Sequence, residues 1–397
     1  MQPELMNGFK KILFLCQKTG ILQVGSSEKV LKTVHYGPLG SLLRRNIFAE
    51  WLCSILRNHE FATFPVELQN PREKFLLSQK LSDAPPESLL LDAVESYFQI
   101  FPMNGSVLPF GIAVYGPCIN KNKRIAEQNL ANPGSFLRDL ESWTSLSLAF
   151  FCPPKKSMDW FHYWSKYRYR WWRKFSNVPS KFSLSDVTES SGSQQQLSVI
   201  LQYPWGKEKV ETITLYDDNN FKELCMKYGF EQKMSNFSVP AVVTCETELD
   251  LAAFAYLTSD FSEKWRENEL RNMFQFHVKL APYKVCLCLS ASSIDTLKKL
   301  SDVANHLMKE FRKGDIMVFP HYDVLSSNES QLQVFPFCRY DEMGVPYSVA
   351  LNENTLSNGV AGLRNRDTTL QEQVHVTELT LKLQRYLQIM ATSSQAT

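Results

Sequence analysis

The sequence predicts an α+β protein in two parts, residues 1–279 and 280–397. Three observations predict it. The 397 residues exceed the roughly 250 to 300 at which one core stops growing, a length for two domains or three. The composition, 44% hydrophobic and 12% aromatic, supplies a sizeable interior. Up to Lys279 helical and strand periodicities are mixed; after it, strands alternate with helices as in one α/β module of ordinary domain length.

The opening MQPELMNGFKKILFLCQKTGIL is helical by periodicity, with Leu5, Phe9, Ile12, Leu13 and Cys16 on one side. It carries Glu4 and lacks the Arg/Ser-rich, acid-poor make-up of an organelle presequence. YGPLGSLLRRNIFAEWLCSIL, residues 36–56, is a Gly/Pro turn leading into a helix that packs Leu42, Ile47, Trp51, Ile55 and Leu56 inward. Between Asn70 and Asn104 come Pro85-Pro86 and a short helix around ESLLLDAVESYFQIF. LPFGIAVYG and TSLSLAFF read as strands, the second alternating as a half-buried strand does. Residues 183–198, SLSDVTESSGSQQQLS, read as a mobile surface loop within the domain, because strand-like LSVILQYPW follows at once.

Beyond Lys279, YKVCLCLS is a strand, SIDTLKKLSDVANHLMKEFRKG a helix with Asp295 near its start and Gly314 at its end, and DIMVFP a second strand. A helix through SQLQVFPFCRYDEMG, the strand YSVALN, a hairpin closed by NENTLSNG, the strand VAGLRNRD and a final helix TTLQEQVHVTELTLKLQRYLQ complete the module.

Net charge is only +2, so attraction to nucleic acid must come from local clustering. The nine cysteines are scattered without a CxxC pair, and the histidines, His321 and His375 among them, lack ligand spacing. Thiols acting as small hydrophobes in a reducing compartment fit better than a disulfide frame or a metal site. No apolar run approaches the roughly 20 residues of a membrane span, so no membrane partner is expected, and no signal peptide is visible.

The cations cluster in one place, MDWFHYWSKYRYRWWRKF, residues 158–175. At about 100° per residue, Trp160, Trp164, Tyr167, Trp171 and Phe175 fall within roughly an 80° arc, which makes a core stripe. Opposite them Lys166, Arg170 and Arg173 share roughly a 60° arc, with Lys155 and Lys156 just upstream and Lys181 downstream. A solvated face and a phosphate-tracking patch are both consistent with that pattern; Tyr169 is a candidate stacking ring.

The order of the pieces resembles class II aminoacyl-tRNA synthetases of the glycyl type. YGPLGSLLRRN with EW resembles their first signature, LPFGIA the run into the second, and YPWGKEKVE the glycyl-specific strand and turn; LAPYKV, YDEMGVPYSV and LRNRDTTLQEQV resemble their anticodon-binding domain. The resemblance covers nearly the whole chain. It implies a class II synthetase-like antiparallel-sheet domain over 1–279, with a shortened insertion at about 67–109, followed over 280–397 by an α/β anticodon-binding-like domain with a mixed sheet.

Enzymes of that family grip ATP with an arginine beside a glutamate after the LPxGIA strand, and with a second arginine that follows a glycine on the third-signature helix. Both guanidiniums neutralise charge that grows as the adenylate forms. Here Pro117, Cys118 and Ile119 stand about where the first group would be, while in TELDLAAFAYL Glu248 takes the glycine's place and Leu251 the arginine's. An acid and an aliphatic side chain do not hold a triphosphate, so neither adenylate chemistry nor a cofactor is expected.

With WWRKF, PWGKE, YDEMGV and RNRDTT, the chain is similar to the accessory-subunit family of the animal mitochondrial DNA polymerase gamma. This resemblance implies a non-catalytic processivity factor in the mitochondrial matrix nucleoid. Its partners would be the catalytic subunit of that polymerase and double-stranded DNA at a primer-template. Vertebrate members carry a long insertion that forms a four-helix bundle across a homodimer and insect relatives lack it; the short stretch here leaves a homodimer through the GPLG helix and a monomer both open. The DNA-binding candidates are Lys155, Lys156, Lys166, Arg170 and Arg173. The polymerase-binding candidates lie in NENTLSNGVAGLRNRDTT: Gly359, which permits a turn at positive φ, and Arg364 and Arg366, which alternate with Asn365 and share one side. The rival for Arg366 is a local ion pair with Asp367. An active tRNA ligase and a tRNA-binding synthetase paralogue are the alternative functions.

Overall fold

A computed structural model describes residues 3–23, 35–57, 60–70, 72–73, 88–119, 142–190, 194–234, 237–266, 269–326 and 337–393. Helix α1 (Pro3–Lys18) leads into a short antiparallel pair, β1 (Leu22–Gln23) with β2 (His35–Tyr36), and then into α2 (Pro38–Leu56). Ile47, Trp51 and Ile55 of α2 are buried as the periodicity predicts; Leu43 is buried in place of the expected Leu42, and Leu42 and Leu56 are half-buried. The GPLG turn has a local cause: a Cβ on Gly40 would come within 2.1 Å of the Ile21 carbonyl oxygen, so glycine there lets two backbones of one chain touch.

The large sheet is formed by β3 (Thr63–Glu67), β4 (Arg72–Glu73), β5 (Phe110–Ile119), β6 (Ser142–Cys152), β7 (Phe182–Leu184), β8 (Thr188–Ser190), β9 (Gln194–Tyr203), β10 (Gly206–Tyr216) and β11 (Ala241–Glu248). Its order is β3-β5-β6-β11-β10-β9-β7, antiparallel except where β3 and β4 lie parallel to β5. Helix α3 (Ser88–Met103) covers one face and α4 (Ser157–Lys174) the other. Strand β6 is therefore buried on both sides, not half-buried as its alternation suggests. Leu146, Leu148 and Phe150 face the core under α4; Ala149 and Phe151 face Tyr97 and Phe101 of α3. The serines of TSLSLAFF produce the alternation, yet Ser145 and Ser147 are buried too.

Helix α3 is the helix expected within the insertion, and it is core: Leu90, Val94, Tyr97 and Phe98 are all buried. The rest of that expectation, residues 71 and 74–87, lies outside the described residues. The loop expected over 183–198 is largely sheet, because β7 and β8 both pair with β9, Phe182 opposite Leu201 and Thr188 opposite Gln196. Its Ser/Gln composition belongs to an exposed sheet edge, where polar side chains face water and the backbone still pairs. Residues 191–193 lie outside the described residues.

Helices α5 (Asp218–Lys227), α6 (Glu231–Met234) and α7 (Leu249–Ser259) and the ribbon β12 (Phe261–Arg266) with β13 (Glu269–Phe274) complete the first part. The second part contains β14 (Val285–Ala291), α8 (Ile294–Lys313), β15 (Val318–Ser326), α9 (Phe337–Glu342), β16 (Tyr347–Leu351), α10 (Glu353–Asn358), β17 (Val360–Asn365), β18 (Gln371–His375) and α11 (Leu379–Ser393). Its mixed sheet runs β15-β14-β16-β17-β18, parallel up to β16 and antiparallel after it. In α8, Ser293 caps the N-terminus through Thr296, and Gly314 follows the last turn.

The hairpin closed by NENTLSNG is present, since β16 and β17 pair antiparallel, and its connection is the short helix α10, capped by the Asn352 side chain, which accepts from the Asn354 amide. One expectation needs correction here. The stretch expected as one final helix splits into β18 and α11: in QEQVH only Val374 is buried, and the strand pairs with β17, Val360 opposite His375. The helix expected through SQLQVFPFCRYDEMG is described only as α9, since residues 327–336 lie outside the described residues.

Strand β14 joins the two parts. Val285, Leu287 and Leu289 pack under α8, whereas Cys286 and Cys288, on the other face, belong to the same apolar cluster as Trp51, Trp172 and Tyr256. Among the described residues no helix is long and apolar enough to cross a membrane.

Candidate nucleic-acid interface

Helix α4 buries Phe161, Trp164, Ser165, Arg168, Trp171 and Trp172, with Phe175 just beyond its end. Trp160 and Tyr167 are only half-buried. The core stripe is therefore turned by roughly 60° from the predicted one. Arg168 explains the rotation. Its Nε donates to Glu211 Oε1 on β10 at 2.7 Å, with both side chains 0% exposed. Trp172 Nε1 donates to the other oxygen of Glu211, Arg168 Nη1 reaches Ser54 Oγ at 3.3 Å, and the guanidinium lies 4.5 Å from the Trp171 ring. The signal was present in the sequence: on a helical wheel Arg168 falls between Trp164 and Trp172, among rings rather than among the cations.

The rotation leaves the cationic side outward. Lys155 and Lys156 are exposed on a 3-10 turn, Pro154–Lys156, and Lys166 and Arg170 are exposed on α4. Arg173 is half-buried with its guanidinium 5.2 Å from the Tyr169 ring. Tyr169 itself is half-buried and its hydroxyl donates to the Phe182 carbonyl at 3.3 Å, which corrects its reading as a stacking ring: the tip that would reach a base is anchored to β7. Lys181 is half-buried, and burial lowers its amine from the ordinary value while Asp260 opposes that shift.

Pro117, Cys118 and Ile119 lie on β5, with Cys118 buried; residues 120–141 after them are outside the described residues. Glu248 ends β11 at the N-cap of α7, and Leu251 is half-buried in the first turn of that helix. Between those two positions in the chain, Asp250 accepts from Arg44 Nη2 at 3.1 Å and from the Thr144 amide at 3.1 Å. Arg44 also packs on the Tyr36 ring at 4.7 Å, so this guanidinium is already held by a carboxylate and a ring.

In the second part, Gly359 caps α10 at φ 71, and a Cβ there would meet the His375 ring at 2.4 Å. Arg364 and Arg366 do share one side of the chain, but the side is inward. Arg364 holds Asp341 with two bonds of 2.9 and 2.8 Å. Arg366 is buried; it bonds the Gly344 carbonyl at 2.8 Å, the Phe276 carbonyl at 3.1 Å and both oxygens of Asp367 at 2.9 Å. Its predicted contact role is thereby corrected: the guanidinium is spent on Gly344 of its own part, on Phe276 of the first part and on Asp367, so it ties the two parts together and includes the ion pair that the alternative anticipated.

Asp367 continues a polar chain across the junction, from Gln275 Nε2 (2.9 Å) to Asn177 Nδ2 on Gln275 Oε1 (3.0 Å). Beside it Asp260 accepts from the Asn177 amide at 2.9 Å and from Ser259 Oγ at 3.0 Å. Burial pushes the Asp260 carboxyl up to about 7, against those bonds and the charges of Arg366 and Lys181.

Comparison with known proteins follows the same two-part layout. Residues 287–386 match the anticodon binding domain family. A glycine–tRNA ligase of Lysinibacillus sphaericus is 25% identical over 70% of this chain and 58% of its own length. The mouse DNA polymerase subunit gamma-2 is 28% identical, covering 97% of this chain and 92% of the relative. The mitochondrial DNA polymerase subunit gamma-2 of Xenopus laevis is 30% identical over 95% of this chain and 87% of its own. Identity at that level along almost the entire length, through both the synthetase-like sheet and the anticodon-binding module, means that the chain belongs to the family of the mitochondrial DNA polymerase subunit gamma-2.

Proposed function

We propose that the chain is a non-catalytic accessory subunit that binds the catalytic subunit of the mitochondrial DNA polymerase and carries double-stranded DNA along the outer face of α4, raising the number of nucleotides added per binding event. Its domains would be residues 1–279 and 280–397, and its compartment the mitochondrion. What supports the non-catalytic reading is the start of α7: by the resemblance to the synthetases, Glu248 and Leu251 stand where a glycine and an arginine would serve ATP, and Arg44 nearby is bound to Asp250. Loss of one transition-state charge clamp costs roughly 3 to 4 kcal/mol.

For the polymerase contact, the inward turn of Arg364 and Arg366 shifts attention to the surface beside them. A cleft of about 450 Å³ is lined by Trp265, Arg266, Arg271, Phe337 and Arg364. Trp265 is 74% and Leu370 73% exposed. Exposed tryptophan beside arginine is the residue mixture that dominates protein interfaces.

The test mixes the purified chain with the catalytic subunit and scores nucleotides added per binding event, alongside ATP–pyrophosphate exchange and tRNA retention on a filter. Longer extension with no exchange is expected. Exchange with any amino acid would replace this reading with a ligase, and tRNA retention without longer extension would replace it with a tRNA-binding paralogue.

A further inference from the structure

The C-terminal end of α4 runs into a second group of cations that the DNA candidates above leave out. Lys166, Arg170 and Lys174 are spaced four residues apart, so they form one row of about 6 Å per step that winds toward α2. Lys174 ends that row close to Lys279, whose amine lies 3.3 Å from Glu50 of α2. Lys284 follows in the same connecting segment, its amine donating to the carbonyls of Lys279 at 3.0 Å and Ala281 at 2.8 Å. Asn46 of α2 fastens the segment from the other side through the carbonyls of Leu280 (3.2 Å) and Ala281 (3.0 Å).

The charged and titratable groups that meet here are Arg45, Glu50 and Cys53 from α2, Lys174 from α4, and Lys279 and Lys284 from the segment, with His277 packed on Phe175. Among the described residues, the carboxylate of Glu50 faces Arg45, Lys174 and Lys279, with Lys284 buried beside them. Burial first, and then Lys279, lower the Lys174 amine; burial brings Lys284 down to about 7, with Arg45 and Lys279 adding to the fall and Glu50 resisting it. A fold that holds like charges together against their repulsion gains when a polyanion arrives, because each phosphate relieves several of them at once.

We propose that this junction extends the phosphate track of α4, so that the backbone of a single duplex touches Arg45, Lys174 and Lys279 as well as α4 and spans both parts of the molecule. The inference rests on the reading of α4 as the DNA face. From Ser157 to Lys174 the helix alone covers about 26 Å, roughly seven to eight base pairs at 3.4 Å each.

The experiment titrates a blunt duplex by fluorescence anisotropy over a series of salt concentrations, using the whole chain, a junction variant (Arg45→Gln with Lys174→Gln) and a helix variant (Lys166→Gln with Arg170→Gln). The junction variant should bind roughly tenfold more weakly at low salt, with the salt slope reduced by about one for each lost cation. Its melting temperature without DNA should rise, an effect that loss of a merely structural lysine would not give. If the junction variant keeps wild-type affinity and slope while the helix variant weakens, the extension is wrong and the α4 reading stands. If wild type binds and neither variant weakens, both fall. Equal stabilisation by inorganic phosphate at matched charge, or tighter binding of a folded RNA than of the duplex, would also overturn the assignment to duplex DNA.

Discussion

Arg168 and Glu211 are the residues on which α4 turns, and their burial sets what a substitution does. Removing one partner leaves an uncompensated charge in the core, which costs about 3 to 5 kcal/mol. Arg168→Met should therefore show a large drop in urea midpoint, and adding Glu211→Leu should recover much of it, as neighbouring sites couple. Asp260 supports a pH prediction. Its folded value, about 7, lies above the ordinary 3.8, so the folded protein keeps a proton that the unfolded chain releases. Stability from this group is thus lost as pH rises from about 4 to about 7 and is level above that, at up to about 1.4 kcal/mol per pH unit. Asp260→Asn should be more stable than wild type in thermal melts at pH 8, and the advantage should vanish near pH 4. Arg168 is marked in the sequence only by its place among the rings on the helical wheel, and Asp260 not at all, because a single Asp declares its burial only through a partner far along the chain.

Among the elements, α4 was largely legible and β18 was not. The aromatic content of α4 gave its helical face to within roughly 60° of the wheel, and the exposed Lys166 and Arg170 lie where periodicity put them. What periodicity missed was direction, since the rings alone do not reveal that Glu211 pulls Arg168 inside. β18 failed for a different reason: with polar residues around Val374, its strand character comes from pairing with β17 rather than from its own pattern. The ribbon β12–β13 went unread altogether, although it presents Trp265 opposite Leu270, both exposed. Trp265→Ala should leave the melting temperature within a degree or two and weaken capture of the catalytic polymerase subunit by roughly tenfold, measured by surface plasmon resonance.

At the scale of the molecule, motif order carried most of what could be read. The mixed sheet of the second part, the antiparallel core of the first and the family all agree with the resemblance that the signatures implied. The two-sided burial of β6 and the use of α3 as core were not legible, because which face of a strand is covered depends on elements remote in sequence. The same rule governs β14, whose cysteines lie among the rings of the first part while its valine and leucines lie beneath α8. A strand shared in this manner works as a keystone: withdrawing it would strip an oily wall from each half together. Heating should accordingly give one calorimetric peak rather than two, and severing the chain at residue 279 should yield fragments that precipitate, not independent modules.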